Sequence, residues 1–114
     1  MQIRFYRSSD WKALQSYHLT NLRFTSHPRQ AVADLENRYA ILGLAEHQIV
    51  TFLILDAGEE KYTYGGQPDS LLLRSFSTDE DFRMRGYGSH TLKLLPDFIR
   101  EYLPMYKSII LGVN

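Results

Sequence analysis

Apolar residues gather in short, dense runs along this chain. Residues 39–45 (YAILGLA) and 49–55 (IVTFLIL) are two such runs, joined by Glu46, His47 and Gln48. Their β-branched and aromatic content and the short polar join predict a β-hairpin. Residues 71–77 (LLLRSFS) and 108–113 (SIILGV) form two more runs. The three consecutive leucines of the 71–77 run predict a central strand covered on both faces. Ile3, Arg4, Phe5 and Tyr6 alternate in polarity and predict a short first strand.

Helical spacing fills the intervals. Ser8, Ser9 and Asp10 are N-cap residue types. Trp11, Leu14, His18 and Leu22 follow at spacings of three and four, predicting a helix with one apolar face. Residues 24–27 read as a loop. Pro28 suits the first turn of a second helix, where its missing N–H would be unpaired in any case. Val32 and Leu35 give that helix a thin apolar face. Residues 56–70 are polar, with Gly58, Gly65, Gly66 and Pro68, and read as a long hairpin loop. The alternation of Tyr62 and Tyr64 extends the hairpin into it. Leu92, Leu95, Phe98, Ile99 and Tyr102 mark a third helix, with a kink or early end expected at Pro96. The order β-α-α-β-β-β-α-β predicts an α/β (α+β) fold, a mixed sheet with helices on both faces, in one domain over residues 1–114.

Between the 71–77 strand and the third helix lies Arg83-Met84-Arg85-Gly86-Tyr87-Gly88-Ser89. A strand, a glycine-bearing turn and a helix start form an arrangement that binds anions. Glycine lets a ligand approach the backbone, and the first helical amides have no intrahelical partner. Arg83 and Arg85 add positive charge. The same glycines also fit a tight strand-to-helix connection. The flanking strands, both arginines and Ser89 favour a pyrophosphate site.

Arg83-x-x-Gly86-x-Gly88 resembles the Arg/Gln-x-x-Gly-x-Gly/Ala signature of the GCN5-related N-acetyltransferases. The element order resembles the N-terminal two thirds of that family. The resemblance implies acetyl-CoA as co-substrate, with its pyrophosphate on the amides of Arg83, Met84, Arg85, Gly86, Tyr87, Gly88 and Ser89. It implies that Phe76, Ser77 and Thr78 offer backbone groups to the pantetheine arm, with side chains of little consequence. Asn114 is included because the family often reads Val-Asn at the end of its fifth strand. The implied activity is acetyl transfer to a primary amine of a small molecule or protein. The acceptor would be chosen by Tyr17, Phe24, His27 and a further segment. In the family a helix and two strands follow, and the helix often carries a tyrosine that protonates the thiolate. The 114-residue chain is therefore expected to expose residues 108–113 and to homo-oligomerise through them. A non-catalytic acyl-CoA-binding module is the alternative reading.

Lys plus Arg and Asp plus Glu each total 13. This balance argues against broad electrostatic binding to nucleic acid or to an anionic membrane. There is no cysteine, hence no disulfide, thiolate metal site or cysteine nucleophile. His18, His27, His47 and His90 show no metal-ligand spacing and read as surface or capping residues. The first eleven residues are unlike a signal peptide, and the longest apolar run is too short to span a bilayer. A cytoplasmic protein is expected. A nucleotide-binding domain lacks support, since neither Gly-x-x-x-x-Gly-Lys-Ser/Thr nor Gly-x-Gly-x-x-Gly occurs. The catalytic groups are not identified. Asp79, Glu80 and Asp81 read either as a solvated loop face or as the source of a general base.

Overall fold

A computed structural model describes residues 1–23 and 25–112; Phe24, Val113 and Asn114 lie outside the described residues. Five strands form one sheet in the order β1-β2-β3-β4-β5: Gln2–Phe5, Arg38–Ala45, Gln48–Asp56, Ser70–Thr78 and Ser108–Leu111. Neighbours pair antiparallel except β4 and β5, which are parallel. The helices are α1 (Trp11–Leu14), α2 (Pro28–Ala31) and α3 (Tyr87–Tyr102). The expected mixed sheet and element order are therefore present.

Each sheet face carries its own core. Leu71, Leu73, Leu95, Phe98 and Ile99 belong to the cluster beneath α3. Leu14, Tyr17, Leu42, Phe52 and Ile54 belong to the cluster beneath α1 and α2. Leu71, Leu72 and Leu73 are all buried, as a strand covered on both faces requires. The β2–β3 hairpin closes through Glu46 and His47, both left-handed at φ 52° and 69°. That is the type I′ geometry whose twist matches the flanking strands.

Four expectations need correction. First, the helix predicted over 11–22 stops at Leu14. The bonds Gln15 N–H to Lys12 O, Ser16 N–H to Ala13 O and Tyr17 N–H to Leu14 O tighten the last turn. The chain then leaves, because His18 pairs with residues 79 and 80 instead: its carbonyl accepts Glu80 N–H at 2.8 Å and its own N–H donates to Asp79 at 3.0 Å. Trp11 and Leu22, expected on the apolar face, are exposed, whereas Tyr17 and Leu19 are buried. Second, Asp10 stands at the N-cap of α1 but its side chain makes no cap bond there; its carboxylate instead accepts Arg7 N–H at 2.8 Å and pairs with Arg4 through two bonds of 2.7 and 2.8 Å. The Arg4 bond holds that carboxyl below the usual aspartate range despite its burial. Third, the hairpin does not extend through Tyr62 and Tyr64, because Glu59–Tyr64 is a 3₁₀ turn. Fourth, α3 does not end at Pro96 but runs on to Tyr102.

The buried stripe of α3 starts at Thr91 rather than Leu92, which is exposed. Thr91 Oγ1 lies 2.8 Å from Thr51 Oγ1 on β3, with both residues fully buried. Gly43 of β2 makes room for this pair, since a Cβ there would sit 1.9 Å from Thr51 Oγ1. Thr91→Val should leave the Thr51 hydroxyl unsatisfied and cost about 1–3 kcal/mol. The double variant Thr51→Val/Thr91→Val should recover part of that loss. Urea unfolding of the two variants measures both effects.

Candidate functional site

The site begins where β4 and β5 part. Pairing runs from Ser70↔Ser108 to Leu73↔Leu111. β4 continues to Thr78, so among the described residues no strand flanks residues 74–78 on that side. On its other side β4 pairs with β3 through an irregularity: Ile54 faces Arg74 and Phe52 faces Ser77. Two steps along β3 thus match three along β4, leaving one extra residue in β4, a β-bulge. Ser75, at φ 55°, is the left-handed residue there. Left-handed backbone at a non-glycine residue costs on the order of 1–3 kcal/mol and concentrates at functional positions.

The bulge reverses which face each later residue meets. Leu73 packs in the α3 core, yet Ser77, of the same parity, bonds the buried Tyr17 hydroxyl at 2.9 Å on the other face. Burial pushes the Tyr17 phenol well above its ordinary value, so it stays neutral. Phe76 instead packs against the α3 core, and Thr78 Oγ1 lies 3.3 Å from where a Cβ on Gly88 would stand. The side chains of Phe76, Ser77 and Thr78 are therefore packing groups, a role the motif reading did not assign.

After β4 the chain makes a 3₁₀ turn, Glu80–Phe82, and enters the glycine segment. Met84 (φ 66°) and Gly86 (φ 78°) are both left-handed. Gly86 is the N-cap of α3 and has no side-chain cap. The first helical bond is His90 N–H to Gly86 O at 3.0 Å, so the amides of Tyr87, Gly88 and Ser89 precede the ladder. Nothing lies within 4 Å of a Cβ built on Gly86, so this helix end faces open space. The two glycines do different work: Gly86 supplies the left-handed turn, and Gly88 permits close approach of α3 to β4. Met84 is fully exposed, Arg83 is half-exposed and lies 3.7 Å from Glu80, and the Arg85 guanidinium sits 5.4 Å from the centre of the Phe82 ring. Residues 83–89 thus form one contiguous helix-entry segment beside the open flank of β4. Asn114 and Phe24 lie outside the described residues.

A cavity of about 310 Å³ lies on the α1–α2 side of that flank, lined by Glu60, Tyr64, Leu72, Arg74, Ser75 and Gly112, with Thr25 and Ser26 opposite. The 3₁₀ turn carrying Glu60 and Tyr64 is anchored by Lys61, whose buried ammonium donates to the carbonyls of Pro68 at 2.8 Å and Ser70 at 3.0 Å. Arg74 pairs with Glu60 and, at 3.1 Å, with the buried Asp56. Sequence reading missed this cavity. Its one local signal is Arg74, a charge placed directly after three leucines in the strand.

Tyr17 and His27, expected to choose an acceptor, are both buried. His27 Nδ1 accepts Arg29 N–H at 3.1 Å as the cap of α2, and its Nε2 donates to Tyr17 O at 2.8 Å. They hold up the wall that carries Thr25 and Ser26 rather than lining it. Of the acidic trio, only Asp81 is a solvated residue, its side chain 66% exposed. Asp79 is buried and accepts both Asp81 N–H (2.8 Å) and His18 N–H (3.0 Å). Glu80 accepts from Thr20, and Asp81 Oδ1 lies 2.9 Å from His18 Nδ1. His18, Asp79 and Asp81 could together hold a metal ion, but their atoms are already engaged with one another and with the main chain.

No protein-family model matches the chain. An uncharacterized N-acetyltransferase of Bacillus subtilis (strain 168), YbbJ, is 35% identical over 120 residues, spanning all of this chain and 75% of the relative. A GNAT family acetyltransferase from Staphylococcus aureus subsp. aureus USA300_TCH1516 superposes with a TM-score of 0.71 at 16% identity, over 99% of this chain and 86% of that one. A ribosomal-protein-alanine N-acetyltransferase from Brucella melitensis biovar Abortus 2308 gives 0.65 at 18% identity, over 99% and 79%. An aminoglycoside N-acetyltransferase, AAC(6')-Iy, in complex with CoA gives 0.65 at 12%, also over 99% and 79%. Among the described residues no helix is long and apolar enough to cross a membrane.

The bond to Asp81 raises the His18 imidazole above its ordinary value of 6.5, aided by the charges of Asp81, Glu80 and Asp79. A raised folded-state value means that the protonated clamp is fully present below about pH 6.5 and is lost as pH rises through the folded midpoint. An NMR titration of His18 should show a midpoint above 6.5, and Asp81→Asn should move it back down.

Proposed function

Because the chain belongs to the GCN5-related N-acetyltransferase family, we propose that it transfers the acetyl group of acetyl-CoA to a primary amine across the gap between β4 and β5. The observation that carries this reading is the open end of α3: three amides before the ladder, at a glycine whose missing Cβ leaves free space. A pyrophosphate there would accept from Tyr87, Gly88 and Ser89 and meet the positive end of the helix. Arg83 and Arg85 lie on the same segment and add charge.

The unflanked edge of β4 at residues 74–78 suits the pantetheine arm as an added strand, with main-chain groups supplying the affinity. This assigns Phe76, Ser77 and Thr78 a backbone role toward the ligand and a packing role through their side chains. The thioester would then lie near Ser75, where the bulge takes the strand out of its ladder.

The cavity at Arg74 and Ser75 suits the acceptor. The amine attacks the thioester carbonyl carbon as a neutral group. A C–N bond forms, the C–S bond breaks, and the electron pair leaves on sulfur. One proton leaves the ammonium beforehand; the nitrogen sheds a second as the amide forms, and one proton in net balance neutralises the thiolate. Glu60 is the carboxylate on the cavity wall, and we assign it to receiving the incoming ammonium. Asp79 and Glu80 are unsuited to accept that proton, because their oxygens hold main-chain amides.

Two measurements test the reading. Gly86→Glu places an anionic side chain in the open space and forces a left-handed residue that costs about 1–2 kcal/mol. The variant should fold, while calorimetric CoA affinity drops by more than about a hundredfold, or about 2.8 kcal/mol. Unchanged affinity in the folded variant would remove the turn from the site. Separately, acetyl-CoA should bind at least about tenfold tighter than ADP, a gap of about 1.4 kcal/mol, because ADP has no arm to pair with β4. Equal binding would favour a nucleotide site instead.

A further inference from the structure

Glu80 stands between the two halves of the site. Its carboxylate is mostly buried and accepts from Thr20 N–H at 2.8 Å, from the Thr20 hydroxyl at 2.9 and 3.1 Å, and from Asn21 N–H at 3.4 Å. His18 Nε2 approaches it to 3.3 Å, and the Arg83 guanidinium to 3.7 Å. On one side is the first arginine of the helix-entry segment. On the other is the stretch that runs on to Thr25 and Ser26, which wall the cavity.

These contacts differ in kind. The bonds to Thr20 are short, and they leave the carboxylate below the usual glutamate range, the Thr20 N–H contributing most. The Arg83 contact is longer, and its side chain is 54% exposed, a geometry typical of ion pairs worth little. Arg83 and protonated His18 are like charges on a single carboxylate, so each weakens the hold of the other.

We propose that Glu80 is a positioning residue that couples the cofactor end of the site to the acceptor wall, so that CoA binding tightens residues 18–21. This rests on the acetyl-CoA reading above. The pyrophosphate draws Arg83 away from Glu80. Glu80 keeps its Thr20 and Asn21 donors, and its pairing with His18 strengthens once the competing cation has left. The wall of the cavity then firms before the amine arrives. Linkage requires the reverse effect as well: an acceptor that settles on the firmed wall raises affinity for CoA by the same factor.

Amide hydrogen exchange at Thr20 and Asn21, read at pH 6 with and without saturating CoA, tests this. In the unmodified protein CoA should slow both amides about fivefold or more, the lower end of ordinary coupling between sites. Glu80→Gln keeps an oxygen for Thr20 but loses the charge, so it should still bind CoA by calorimetry and lose most of the CoA-dependent slowing. Arg83→Gln should exchange slowly at both amides even without CoA, with little further change on adding it. Protection across β2 and β3 reports that each variant is folded. CoA bound with no slowing in the unmodified protein, or equal slowing in Glu80→Gln, would overturn the proposal while leaving the acetyl-CoA reading intact. Absence of CoA binding in the unmodified protein would overturn both.

Discussion

The extra residue in β4 is the constraint on which the site depends. A strand presents alternate residues to opposite faces, so one inserted residue exchanges the faces for everything after it. Ahead of Ser75, β4 is an ordinary central strand filling two cores. Beyond it, Phe76 faces α3 and Ser77 faces Tyr17. Without that exchange a serine would point into the α3 core and a phenylalanine would meet the Tyr17 hydroxyl, and neither is tolerable. The left-handed backbone at Ser75 is sustained by packing on both sides of it. The insertion falls just past the last pair that β4 makes with β5, Leu73↔Leu111.

The charges balance overall, yet they are not scattered. Arg4 with Asp10, Arg38 and Arg74 with Asp56, and His18 with the 79–81 acids each stand where irregular chain meets the sheet. Asp56 shows the arrangement best. It is almost fully buried, and its oxygens are filled by Arg38 and Arg74, both at 3.1 Å, and by Gly58 N–H at 2.8 Å. Its buried oxygens are thus all supplied with donors, as burial of a polar group requires. The cost of removing any partner is correspondingly large.

The strands and α3 were legible because local pattern and tertiary environment agree there: β-branched runs, three leucines and helical spacing all describe what is buried. The glycine segment was legible as a helix entry for the same reason, since left-handed backbone at Gly86 is a local demand. The 11–22 region was not. Its helical spacing is real, but Asp79 and Glu80, some sixty residues away, bind the main chain of His18 more favourably than a continued helix would. The cavity was not legible either. It is assembled from four segments, and no local periodicity ties Glu60 to Arg74, or Thr25 and Ser26 to Ser75. Tyr17 and His27 are chemically suited to recognition, and only their burial reveals that they are structural.

The hydroxyl pair between Thr51 and Thr91 has a consequence for aim. Apolar contacts oppose sliding or rolling of a helix on a sheet only through shape, and a neighbouring register can be accommodated by repacking. A buried directional bond does not allow this. Thr91 lies four residues from Tyr87, or about 6 Å along the axis at 1.5 Å per residue. A slip of a single residue would turn the helix by about 100° and swing its leading amides away from the β4 edge. The bearing of the helix mouth is thus registered by a fixed point inside the core, against the hairpin. Enlarging Gly43 in the other strand of that hairpin would press on both hydroxyls and so shift the helix mouth without touching it.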